Sequence, residues 1–127
     1  MDKKIIYTEK APAPIGPYSQ AVLVGNTLYT SGQIALNPAT MELVLDNIEA
    51  ETEQVMQNLK ALLEAANMTF ENVFKTTIFI TDMNDFARIN AVYGKYFNEK
   101  TAPARETVQV AALPKFVNNE IAMMAVI

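Results

Sequence analysis

The chain has 127 residues, 50% of them hydrophobic, with a mean hydropathy of +0.08 and a formal net charge of −4. It contains neither Cys nor His. That excludes thiolate nucleophiles, Cys/His zinc sites, Ser-His-Asp triads, histidine general bases and disulfides, and leaves carboxylates, Tyr and Lys for acid/base work.

The length predicts one domain over residues 1–127. The segment Met1 to Tyr7 has no long apolar core and does not read as a secretory signal. No apolar run is long enough to span a bilayer, so the expectation is a cytoplasmic protein with no membrane partner. The largest basic cluster is Lys3-Lys4, and the acidic balance gives no broad phosphate-backbone footprint. No nucleic-acid partner is expected.

The tract Ala11-Pro12-Ala13-Pro14-Ile15-Gly16-Pro17 forbids a regular helix or central strand and predicts a loop or extended edge. Apolar runs Ala21–Val24 and Thr27–Thr30 flank Gly25-Asn26 and predict a tight hairpin. Asn37-Pro38-Ala39-Thr40 predicts a second turn. From Ile48 the period changes. Ile48, Val55, Leu59, Leu62, Leu63 and Ala66 form one stripe of an amphipathic helix, with Asp46 and Glu49 at capping-box spacing and Asn67 as a left-handed cap.

Residues 73–81 predict a strand with Thr76, Ile78 and Ile80 on one face. A second helix starts near Asn84 or Asp85 and turns Phe86, Ile89, Tyr93 and Phe97 to the core. Asn90 falls inside that stripe, so its amide needs a partner, a hydrogen bond to a sheet edge or loop being the simplest. Two strands follow, near Ala104–Ala112 and Asn119–Ile127, separated by Leu113-Pro114-Lys115.

This order of elements predicts an α+β mixed sheet backed by two helices. The terminal strand is apolar on both faces, Ile121, Met123 and Ala125 against Ala122, Met124 and Val126. Helices cover only one face. The other is expected to pack on something else, most simply a second copy. Two charges interrupt these apolar segments, Arg105 and Glu120. Two readings stand: strand-end charges reaching solvent, or an anion anchor and an acid/base group in a small-molecule site.

In motif content the chain resembles the Rid family, also called the YjgF family of reactive-intermediate deaminases. The resemblance runs almost end to end. It rests on Ile15-Gly16-Pro17-Tyr18-Ser19-Gln20-Ala21, Ser31-Gly32-Gln33-Ile34 with Asn37-Pro38, and Lys75-Thr76-Thr77-Ile78-Phe79-Ile80-Thr81-Asp82-Met83. It continues through Phe86 to Asn90 with Tyr93 and Phe97, then Pro103-Ala104-Arg105, Leu113-Pro114-Lys115 and Glu120.

The resemblance implies a chorismate-mutase-like fold and a homotrimer with ligand clefts at the subunit interfaces. It implies hydrolysis of 2-imino acids such as 2-iminobutyrate and 2-iminopropionate to 2-keto acids and ammonia, with no metal or organic cofactor. Arg105 matches the arginine that grips the substrate carboxylate. Glu120 matches the glutamate that activates or orients water. Tyr18, Ser31, Gly32 and Asn90 match pocket or pocket-supporting positions. Thr107 stands where the family commonly has Cys, at a position whose backbone contacts the substrate carboxylate. Ala122 stands where many members carry another acid. From the residues alone, Tyr18 also reads as a half-buried ring beside the proline loop, and Ser31-Gly32 as a strand bulge. Two other functions are weighed, a non-catalytic 2-keto-acid-binding module and an RNA-acting translation inhibitor.

Overall fold

In the computed structural model, which describes residues 2–127, the chain forms one six-stranded sheet. Met1, part of the amino-terminal segment considered above, lies outside the described residues. The strands are β1 (Lys3–Ile6), β2 (Ala21–Val24), β3 (Thr27–Thr30), β4 (Val73–Ile80), β5 (Ala104–Gln109) and β6 (Asn119–Val126). They lie side by side in the order β1-β2-β3-β6-β4-β5. All neighbours are antiparallel except β4 and β5, which run parallel. The helices are α1 (Ile48–Ala65) and α2 (Phe86–Tyr93).

The predicted hairpin forms around Gly25-Asn26, with Gly25 at φ 60°, in the left-handed region that its missing Cβ permits. Every residue of the predicted α1 stripe is buried. Asn67 follows the helix at φ 59°, the left-handed stop expected of it. The amino-terminal cap is Asn47, a correction to Asp46. Asn47 has extended backbone angles, and its side chain accepts a hydrogen bond from the Ala50 N–H at 2.8 Å. Glu49 instead takes a bidentate bond from Arg88, Nε to Oε2 at 2.8 Å and Nη2 to Oε1 at 2.6 Å, which ties α1 to α2.

Both helices cover one face of the sheet. Thr76 of β4 meets the Tyr93 hydroxyl of α2 at 2.8 Å, and Asn119 of β6 donates to Thr52 of α1 at 2.8 Å. Leu28, Ile78, Ile121 and Met123 fill the space between with Met56, Leu59 and Ile89. The opposite face carries Tyr29, Val108, Met124 and Val126, each at least a third exposed. Among the described residues no helix is long and apolar enough to cross a membrane.

Candidate functional site

The antiparallel pairing of β4 with β6 and the parallel pairing of β4 with β5 decide where the two candidate charges go. Arg105 pairs with Thr76, a residue of the helix-covered face, so its side chain emerges over α2. Glu120 alternates with buried Asn119 and Ile121, so it emerges on the opposite face. One strand lies between theirs.

Arg105 is built into the end of a cleft of about 430 Å³ bordered by Asn90, Tyr93, Gly94, Phe97 and Pro103. Its Nη1 donates to Asn90 Oδ1 at 2.6 Å. The amide expected to tie α2 to a sheet edge does so, with the guanidinium as its partner. The guanidinium carbon stands 5.1 Å from the Tyr93 ring centroid and 5.5 Å from that of Phe86. These aromatic faces favour the cation and fix the plane of the fork. Burial holds the Tyr93 phenol above its ordinary pKa, so the neutral ring supports the arginine. No carboxylate neutralises Arg105 among the described residues. Thr107, two residues along the same strand face, has a buried hydroxyl without a partner among the described residues.

Glu120 lines a second cleft, of about 400 Å³, with Ile15, Tyr18, Gly32, Gln33 and Lys115 among its walls. Burial pushes its carboxyl above the ordinary value of 4.5. Gly32 makes room for it. A Cβ on Gly32 would overlap Glu120 Oε2 and lie 2.7 Å from its Cδ and 2.9 Å from its Cγ. The backbone is pinned across this gap, Gln33 N to Ile121 O at 2.8 Å and Ile121 N to Gln33 O at 3.1 Å. Tyr18 stands at the rim, about half exposed as the proline-loop reading expected, its hydroxyl accepting from the Ile15 N–H at 3.2 Å. Ser31 turns away from Glu120. Its hydroxyl donates to the Ser19 carbonyl at 2.6 Å and lines a neighbouring groove that Tyr18 shares.

The chain therefore gathers Tyr18, Gly32 and Glu120 in one place and Arg105 with Asn90 in another. Sequence reasoning passed over Lys115 as a wall of the Glu120 cleft. Its backbone is left-handed at φ 56°, as is that of the following Phe116 at φ 57°. Leu113-Pro114 signalled a break, but not that the break would bring Lys115 into the wall of this cleft.

Comparison with known proteins is consistent across sequence and structure. A family model described as endoribonuclease L-PSP matches residues 8–127. A RutC family protein of Synechocystis sp. is 54% identical, covering 100% of this chain and 98% of its own length. The crystal structure of RidA from the Antarctic bacterium Psychrobacter sp. superposes with a TM-score of 0.93 at 48% identity, covering 98% of this chain and 99% of that one. Escherichia coli TdcF, solved with bound serine, gives 0.92 at 45% identity and 98% coverage of each chain. With the fold, the pinned Gly32–Glu120 approach and the Arg105–Asn90 pair already in view, these matches place the chain in the Rid (YjgF) family.

Proposed function

We propose that the protein is a hydrolytic deaminase converting reactive 2-imino acids and their enamine tautomers, 2-iminobutyrate and 2-iminopropionate among them, to 2-keto acids and ammonia in the cytoplasm. The observation that carries this reading is the pair of uncompensated charges. Arg105 and Glu120 each open onto a cleft, and neither has a salt-bridge partner among the described residues.

Arg105, held by Asn90, grips the substrate carboxylate through its planar fork and so fixes the C=N carbon. Thr107, two residues further along β5, would meet the carboxylate through its backbone, since its hydroxyl is buried and outside the cleft lining. Glu120 orients a water molecule and accepts its proton as the oxygen adds to the imine carbon. Its raised pKa makes it a better base than an ordinary carboxylate. The protonated carboxyl gives that proton to the nitrogen, making a carbinolamine. Glu120 then takes the proton of the new hydroxyl and passes it to the amine, so that the carbonyl forms as the C–N bond breaks and ammonia leaves. Imines hydrolyse unaided in water, so a sparse site suffices.

One chain keeps the two groups on opposite sheet faces, and the reading therefore includes an assembly. We place the Arg105 edge of one subunit against the Glu120 cleft of the next in a homotrimer. Support comes from the half-exposed apolar residues Tyr29, Met124 and Val126 on the sheet face without helices. Against RNA cleavage, the activity named by the family model, stand the net charge of −4 and the absence of histidine.

The test is a coupled assay in which a threonine dehydratase generates 2-iminobutyrate. Keto-acid release faster than spontaneous hydrolysis is expected. No acceleration, with tight keto-acid binding by calorimetry, favours a binding module that uses the same arginine.

A further inference from the structure

Glu51 is a fully buried carboxylate in the first turn of α1, with no part in the chemistry above. Burying a charge is costly unless its hydrogen bonds are complete. Here Oε2 accepts from the backbone N–H groups of Asn118 at 2.8 Å and Asn119 at 3.1 Å, and Oε1 accepts from the Asn118 side-chain amide at 2.7 Å. The next residue of α1, Thr52, accepts from the Asn119 amide at 2.8 Å while its own hydroxyl donates to the Ile48 carbonyl at 2.7 Å. Two consecutive residues of a helix thus hold Asn118, just before β6, and Asn119, the first residue of the strand. The residue that follows them is Glu120.

We infer that Glu51 is the positioning residue for Glu120: it fixes the start of β6 from the helix side, so that the carboxylate on the other side of the strand meets Gly32 in one place. Three observations support this. First, Asn119 sits in the apolar stripe of β6 with Ile121, Met123 and Ala125, where an apolar residue would pack at lower cost than this polar network. Its Oδ1 has no partner among the described residues, so the network is costly as packing alone. Second, Glu120 itself receives no hydrogen bond among the described residues that would hold its side chain, so its place is set by its backbone. Third, the backbone is clamped on both sides, at Asn119 by α1 and at Ile121 by Gln33. A carboxylate suits the task because it is acceptor-only and takes all three donors at once.

The role of Glu120 as base rests on the deaminase reading, and the experiment keeps the two apart. Glu51→Ala and Glu51→Gln are compared with the native chain by the carboxyl carbon NMR signal of Glu120 and by steady-state kinetics on 2-iminobutyrate. Glu51→Ala is expected to move the Glu120 signal toward that of a solvent-exposed glutamate. It should lower kcat by about 10-fold to 10²-fold with KM little changed, because Arg105 still binds substrate. Glu51→Gln retains one acceptor for the two backbone donors and should restore both readouts, Asn118 turning its amide to match. A folded Glu51→Ala chain with native signal and kcat overturns the inference, as does Glu51→Gln being equally impaired. If Glu51→Ala does not fold, Glu51→Asp takes its place. The charge stays, the reach shortens, and an unchanged signal overturns the inference. If the native protein hydrolyses no imine, the deaminase reading fails while the NMR signal still decides the positioning.

Discussion

Gly32 and Glu120, on separate segments of the chain, approach so closely that no Cβ fits between them. Gly32 does not have a left-handed backbone, so the requirement is one of space. Glu120 Cγ at 2.9 Å lies near the strand and has little freedom to retreat. Gly32→Ala is expected to fold, displace the carboxylate from its cleft, and lower kcat by about 10-fold or more. Retention of native kcat, with a crystal structure showing Glu120 unmoved, would remove Gly32 from the site.

Glu120→Gln should slow imine hydrolysis by about 10²-fold, the low end for loss of a positioned base, because the uncatalysed reaction is easy. Keto-acid binding by calorimetry should persist. Unchanged rates would mean that water needs no carboxylate here.

The same substitution has a stability signature with a definite sign. A carboxyl whose pKa is raised in the folded protein binds its proton more readily folded than unfolded. Stability therefore falls as pH rises from the ordinary value of 4.5 through the raised one. Glu120→Gln removes that loss, so its Tm should exceed the native Tm at neutral pH, and the gap should close as pH drops below 4.5. Thermal scans from acid to neutral pH measure it. A constant gap would contradict the raised pKa.

Arg105→Lys keeps the charge and gives up the fork that Asn90, Tyr93 and Phe86 hold in place. Most activity should be lost, chiefly through substrate orientation, with little change in Tm. Near-native turnover of 2-iminobutyrate would show that a point charge serves as well as a plane.

Met124→Lys places a charge on the sheet face that lacks helices. Fully burying a large apolar side chain is worth about 1.5–3 kcal/mol, and a lysine in an apolar interface forfeits that gain and adds a desolvation cost. Light scattering at micromolar concentration should show the native mass, three times the 14.1 kDa chain, collapse together with activity. A native chain that is a stable, active 14.1 kDa monomer would end the shared-cleft model.

Much of this was legible in the sequence where the controlling physics is local. The Gly25-Asn26 hairpin, the α1 stripe and the Asn67 stop depend on residues a few positions apart. The need of Asn90 for a partner was equally clear, since a polar group in an apolar stripe must be satisfied. β1 was not legible. Lys3, Lys4 and Ile5 are exposed and carry no alternating pattern, and the strand forms only because β2 offers an unpaired edge. The exchange of Asp46 for Asn47 at the α1 cap turned on one residue's backbone angles. The clearest gap concerns Arg105 and Glu120. Motif order joined them in one site, while strand pairing, which no local pattern encodes, sent them to opposite sheet faces. The burial of Glu51 was hidden for the same reason, since its partners lie 67 and 68 positions away.

The strand order also sets a timetable for biosynthesis. β6, last along the chain, lies between β3 and β4, at the middle of the sheet. Until it is made, β1-β2-β3 and β4-β5 have no strand to join them, and the inner edges of β3 and β4 have no partner. Neither edge is sealed until residues 119–126 emerge, so the nascent chain must be kept from pairing with its neighbours up to that moment. The same eight residues that seal the sheet carry Glu120, so the carboxylate proposed as the base and the closed fold arrive together.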